Sequence, residues 1–241
     1  MTRIGQISAG KMMDVKIYPA MKGLDGIDIK RHVFVVMDIL RASNTIVCLM
    51  EKGATHVRVV GEVDEAYKLK EHGYVLIGER LGNTIPGFDL DNSPYKISRQ
   101  NWNGKKVVLT TTNGTRALVA VQDGFRVAIG SFRNIDAVCQ YAKAFDRPIA
   151  LIPVGDRGTP MLEDELCAEA MLNRLKGESV DWKRIQEAIL EKVEMDIGKM
   201  GETYRKDALL STSPNETDII PVLHDGLVLR REYEKTKGYS P

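Results

Sequence analysis

The chain has 241 residues, 43% hydrophobic and 28% charged, with a formal net charge of +1. That is enough apolar material for a substantial core, and the charge balance gives no reason to expect nucleic acid or a membrane surface as partner, which leaves a small molecule. Three scattered cysteines without a CxxC pair argue against a disulfide framework and a structural zinc site.

In chain order, apolar β-favouring runs fall at 15–18, 33–39, 57–60, 75–77, 107–110, 127–129 and 149–154. Apolar positions at helical spacing fall at 43–52, 63–72, 115–121, 134–145 and 162–175, and 182–197 follows without a strand between. This alternation predicts an α/β protein whose mostly parallel or mixed sheet carries helices on both faces. No linker divides the chain, so 1–241 is read as one domain with a helical C-terminal portion from about 181. Segment 218–231, two short apolar runs around His224-Asp225-Gly226, is expected as an edge hairpin or a packed tail. The stretch MTRIGQISAGKMM has no apolar signal core and no run reaches the roughly 18 apolar residues of a membrane span, so the expected location is the cytoplasm.

Ligands of such sheets bind where strands end and helices begin. Four of these joints carry chemistry. In VVMDILRAS, Asp38 and Arg41 close a strand; in LIGERLGNTIPGFDLDNSP, Glu79 and Arg80 lead into a long loop that ends at Asn92-Ser93-Pro94. In KKVVLTTTNGTRAL, Thr111, Thr112, Asn113, Gly114 and Thr115 pass from strand to helix, a turn whose amides and dipole suit an anion, and Arg116 adds a positive fork. In PVGDRGTPMLEDELCAE, a strand ends at Gly155-Asp156 and Glu163, Asp164 and Glu165 open a helix, where acids also suit the dipole without any further function.

Carboxylates, arginines and an anion cradle at neighbouring strand ends form the inventory of a metal-assisted phosphoryl site, with magnesium as the hard cation. Walker-type, dinucleotide-binding, cysteine-phosphatase and GxSxG patterns are all missing from the sequence. A phosphate-binding module without catalysis would use the arginines but not the acids. A second enzymatic reading is a haloacid-dehalogenase-like phosphatase acting through an aspartyl phosphate at Asp38 or Asp89. Against it, Asp89 follows Pro86-Gly87-Phe88 in a loop, and Leu40 stands where a second Asp belongs after Asp38.

Read in order, DILRAS (38–43), GER (78–80), FDLDNSP (88–94), TTTNGT (110–115) and LEDELCA (162–168) resemble the 2-phosphosulfolactate phosphatase family, over roughly residues 33–175. The resemblance implies magnesium-dependent hydrolysis of 2-phospho-3-sulfolactate to 3-sulfolactate and phosphate, a step of coenzyme M biosynthesis, on a three-layer α/β/α fold. It implies a site made of Asp38, Arg41, Glu79 and Arg80, substrate contacts from Asn92 and 111–115, and acids at Glu163 and Asp164. Convergence of strand ends makes Asp38, Glu79 and Asp164 the expected magnesium ligands, with Glu163 the alternative to Asp164 because helix neighbours point about 100° apart. Arg41, Arg80 and Arg116 are expected to clamp a doubly anionic substrate. A homo-oligomer is left open.

Overall fold

In the computed structural model, residues 13–233 are described. The stretch read for a signal core therefore lies, up to residue 12, outside the described residues. A ten-stranded mixed sheet forms the middle of an α/β architecture. Its strands are β1 (Val15–Ile17), β2 (Val33–Met37), β3 (His56–Val59), β4 (Val75–Arg80), β5 (Asn83–Thr84), β6 (Lys106–Thr110), β7 (Arg126–Ile129), β8 (Ile149–Pro153), β9 (Pro221–His224) and β10 (Leu227–Arg230). The helices are α1 (Ala42–Glu51), α2 (Val63–Lys70), α3 (Pro94–Ser98), α4 (Gly114–Val121), α5 (Ile135–Lys143), α6 (Leu162–Lys176), α7 (Trp182–Met200) and α8 (Glu202–Ser211).

Strand alternation explains the layers, because successive side chains point to opposite faces. In β2, Phe34 and Val36 join a cluster with Ile46 and Leu49 of α1 and Leu118 and Val121 of α4, while Val33 and Val35 face a second cluster with α5, α6 and α7. All five β2 residues are buried, which is why this strand reads as a continuous apolar run. On the other half of the sheet, Leu76 and Val108 pack under α2 through Ala66.

The strand order is β1-β8-β2-β7-β9-β10-β3-β6-β4-β5. Segment 218–231 does form a hairpin, but not at an edge. β9 pairs antiparallel with β7, and β10 pairs antiparallel with β3, so the hairpin joins two parallel half-sheets. Apolar runs of four residues fit an edge or a centre equally well, and only the partners, more than 90 residues upstream, decide between them. Val228 of β10 is fully buried at this seam. Val228→Ala is expected to cost about 2 kcal/mol for the two carbons removed from a packed centre. Urea unfolding measures this, and a loss below about 0.5 kcal/mol would mean that the seam contributes little.

Five strands separate β2 from β4. Laid flat, at about 4.8 Å per strand, the two would stand about 29 Å apart. Residues of both nevertheless line one cleft, and one apolar cluster runs from Phe34 of β2 through Val59, Leu109 and Ile77 of β4 around α1 and α4. The sheet curls about these two helices and brings distant strand ends together.

Candidate active site

The cleft opens at the C-terminal ends of β2, β4, β6 and β8 and has a volume of about 300 Å³. The end of β2 is built by a reciprocal strand-to-helix joint. Ser43 N donates to Asp38 O, Asp38 N to Ser43 Oγ, and Ala42 N to Asp38 Oδ1 at 3.1 Å. Asp38 is thereby fixed at the foot of the cleft. Burial raises its carboxyl to about 6, with Glu79 and Glu163 adding like-charge repulsion.

Glu79, from β4, is 8% exposed and is held by the TTTNGT turn. Thr112 N donates to Oε1 at 2.7 Å, and Thr112 Oγ1 and Gly82 N donate to Oε2 at 2.9 and 2.8 Å. Thr111 and Thr115 close the turn on themselves, each amide donating to the other's hydroxyl. The amides of Thr111, Thr112 and Thr115 are thus committed to protein acceptors. Three amides of the turn expected as an anion cradle serve to mount Glu79 and to close the turn, and Thr112 and Asn113 are its residues on the cleft wall.

Gly114 is constrained by space rather than by its backbone conformation. Its φ is not positive, so the backbone would accept a side chain. Space would not, because a Cβ there would lie 2.5 Å from Asp38 Oδ2 and 2.5 Å from the Ala42 Cβ.

The acids that open α6 divide their work. Asp164 accepts Ile39 N at 2.7 Å on one oxygen and Gly155 N at 2.8 Å on the other, tying the ends of β2 and β8 together. Burial, then Asp38 and Glu163, push its carboxyl well up from the ordinary range. Glu163, 3% exposed, pairs through Oε2 with Lys192 of α7 at 3.0 Å. Asp164 has both oxygens on backbone amides, as Glu79 has both on Thr112 and Gly82, and Asp38, Glu79, Glu163 and Asp164 all line the cleft as hard oxygen donors for a cation. Among the described residues no three His, Cys, Asp or Glu side chains form a ready-made metal cage. Magnesium asks for less, since one or two carboxylates suffice when phosphate oxygens and waters fill the octahedron.

Of the three expected clamps, only Arg41 lines the cleft. Arg80 turns away and donates to Glu79 O, Gly61 O and Thr110 Oγ1 at 2.8–2.9 Å, which makes it a brace of the sheet end. Arg116 pairs with Glu62 on the surface, the two side chains 54% and 67% exposed. We expect Arg116→Ala to change phosphate release less than twofold and stability by under about 0.5 kcal/mol, as for most exposed pairs. Arg80→Lys is expected to lower stability by about 1–2 kcal/mol through lost carbonyl bonds, with a smaller kinetic effect than a clamp would show. Melting curves beside steady-state kinetics check both, and a large kcat/KM loss at either residue without a stability loss would return it to the site.

Several lining residues escaped the sequence reading. Asp156 and Arg157 form the turn after β8, where Asn113 Nδ2 donates to Asp156 Oδ1 and Arg157 N donates to Asn113 Oδ1. Partial burial works to raise the Asp156 carboxyl, but the bonds from Asn113 and Arg157 prevail and hold it low. Met200 and Tyr204 cover the cleft from the α7–α8 corner. The first two stand in a joint already singled out; the last two lie in a charged helical stretch with no local mark of a site. The three cysteines are buried and unpaired, and among the described residues no helix is long and apolar enough to cross a membrane.

Sequence comparison bears directly on this cleft. The family model described as 2-phosphosulpholactate phosphatase matches residues 20–224, a span that contains every strand-end joint of the cleft. A probable 2-phosphosulfolactate phosphatase of Thermotoga petrophila is 35% identical over 83% of this chain and 92% of its own length. One of Caldanaerobacter subterraneus is 32% identical over 90% and 98%. The 2-phosphosulfolactate phosphatase of Methanothermobacter thermautotrophicus is 30% identical over 80% and 88%. With a match of that extent laid over a cleft of converging carboxylates, the chain belongs to the 2-phosphosulfolactate phosphatase family of phosphoric monoester hydrolases.

Proposed function

We propose that this protein hydrolyses 2-phosphosulfolactate, or a closely related 2-phospho acid, to the 2-hydroxy acid and phosphate, with Mg²⁺ as cofactor. The observation that carries the reading is the meeting of buried Asp38, Glu79 and Glu163 with the Arg41 guanidinium in one cleft at strand C-terminal ends. Three carboxylates repel a phosphoryl dianion unless a cation stands between them, and a second acid group on the substrate needs a positive partner of its own.

Asp38 and Glu79 would hold the cation, with Glu163 beside them. When bound, it neutralises charge on the phosphoryl oxygens and makes a coordinated water more acidic. The protein's own part is positional. Asp38 is set by the β2–α1 joint, Glu79 by Thr112 and Gly82, and Glu163 by Lys192, so none must be reordered as substrate arrives. Asn113 ties the Asp156-Arg157 turn to the opposite wall and keeps the cleft narrow. A carboxylate not engaged with the cation can orient the attacking water opposite the ester oxygen.

The aspartyl-phosphate alternative is not favoured. Asp89 is exposed, accepts Leu76 N and does not line the cleft, and Leu40 stands two residues after Asp38. A purely phosphate-binding module would gain nothing from the buried acids. Phosphate release from 2-phosphosulfolactate and from 2-phospholactate, each with Mg²⁺ and with a chelator, tests the proposal. Release that needs Mg²⁺ and favours the sulfonate supports it; no release from either ester, or release undiminished by chelation, overturns it.

A further inference from the structure

Arg41 is not free to wander in the cleft. Its side chain is 11% exposed, and Nη1 donates to Oδ2 of Asp207, a fully buried carboxylate of α8, at 3.2 Å. The other Asp207 oxygen is already occupied, because Oδ1 accepts Ser93 Oγ at 2.6 Å and Tyr95 N at 3.0 Å, both at the start of α3. One carboxylate therefore fixes two walls at once: the guanidinium at the head of α1 and the end of the long loop that carries Asn92.

Asn92 completes the arrangement. It is 3% exposed and lines the same cleft, and its carbonyl is pinned by Thr45 Oγ1 at 2.6 Å. Its buried side-chain Oδ1 nevertheless has no hydrogen-bond partner. The oxygen and nitrogen of the amide can exchange places, which would point its NH2 donors where the unpartnered oxygen now lies. An amide oxygen buried without a donor is costly, whereas the turned amide offers a donor to an anion in the cleft that Arg41 also lines.

We propose that Asp207 is a positioning residue that orients Arg41 and the Asn92 loop into a subsite for a non-transferred anion of the substrate, its sulfonate or its carboxylate. The inference rests on the phosphatase reading above and says which end of the substrate lies where. The transferred phosphoryl belongs with the acids Asp38, Glu79 and Glu163, and two anions remain on 2-phosphosulfolactate, a carboxylate and a sulfonate, at least one of which needs a cation with donors beside it. Arg157 also lines the cleft, but its side chain is 68% exposed and tied to its own neighbour Asp156, so water screens it and little fixes its direction. Arg41 is desolvated and held, with guanidinium donors left for a planar or trigonal group of oxygens. Asp207 itself is costly to bury, and burial pushes its carboxyl up against the donors that lower it, which a residue serving only as a surface tie would avoid.

The test compares 2-phosphosulfolactate with isopropyl phosphate, a monoester lacking both the carboxylate and the sulfonate, on wild type and on Asp207→Asn, Arg41→Lys and Asn92→Ala. We expect each variant to lower the preference for 2-phosphosulfolactate about tenfold, carried by KM rather than kcat. Asp207→Asn combined with Arg41→Lys should be no worse than Arg41→Lys alone, because the first acts through the second. Equal losses on both esters, a fall in kcat alone, or additive effects would overturn the proposal. If Asp207→Asn does not fold, the same split is required of Arg41→Lys and Asn92→Ala, and its absence there overturns the proposal equally. Failure of the phosphatase reading is distinguishable: wild type would then release phosphate from neither ester.

Discussion

Gly114→Ala is expected to lower phosphate release about a hundredfold in a protein that still folds. Nothing in the backbone forbids alanine, because Gly114 opens α4 without a positive φ. The obstacle is a Cβ 2.5 Å from Asp38 Oδ2 and equally close to the Ala42 methyl. Carbon and oxygen do not approach that closely without bonding, so Asp38 must rotate or the α1–α4 contact must open. Overfilling a packed site costs about 1–3 kcal/mol, which a fold of this size tolerates. A shift of about 1 Å in a reacting group costs far more in rate, on the order of a hundredfold. Circular dichroism melts and steady-state kinetics separate the two effects. Retention of more than a third of wild-type kcat would show that Asp38 does not depend on this contact.

The same residue shows where the reading of sequence stops. Asn113-Gly114 announced a turn, and periodicity located the strand before it and the helix after it; seven strands and six helices were legible because their apolar patterns are local. Asp38, Glu79, Asn113 and Asp164 were legible as site candidates because strand C-terminal ends meet at a cleft. Direction was not legible. Arg80 and Arg116 stand at the right joints, but one finds the carbonyls of Gly61 and Glu79 and the other finds Glu62. A long side chain at a strand end has several partners within reach, and its choice depends on the packing of other segments. Asp207 and Tyr204 were invisible for a related reason: three residues apart on a charged helix, they look like a solvated face. Tyr204 lines the cleft and Asp207 reaches Arg41 because α3 and α8 pack together, a contact across more than 100 residues.

Asp38→Asn should do two opposite things, abolishing at least 99.9% of phosphate release while raising the thermal stability of the metal-free protein at pH 7. The ordinary carboxyl value of 3.8 is raised to about 6 in the fold, by burial first and then by the neighbouring acids Glu79 and Glu163. A carboxyl that holds its proton more tightly folded than unfolded supports the fold at low pH. It withdraws that support as pH rises from about 4 through about 6, because in that window the folded state binds more protons than the unfolded one. Above pH 6 the penalty is complete, on the order of 3 kcal/mol. Asparagine has nearly the same shape, and its Oδ1 can still accept Ala42 N, so it removes the charge without opening a cavity. For a chain of this length the gain corresponds to roughly 5–10 °C at pH 7 and should vanish near pH 4. A cation held by Asp38 would relieve the same repulsion, so Mg²⁺ is expected to raise the melting temperature of the wild type and to leave Asp38→Asn nearly unmoved. Calorimetry at pH 4, 5.5 and 7, with Mg²⁺ and with a chelator, reads both effects. A variant less stable than wild type at every pH would remove the electrostatic account, and equal stabilisation of the two proteins by Mg²⁺ would remove Asp38 from the cation's ligands.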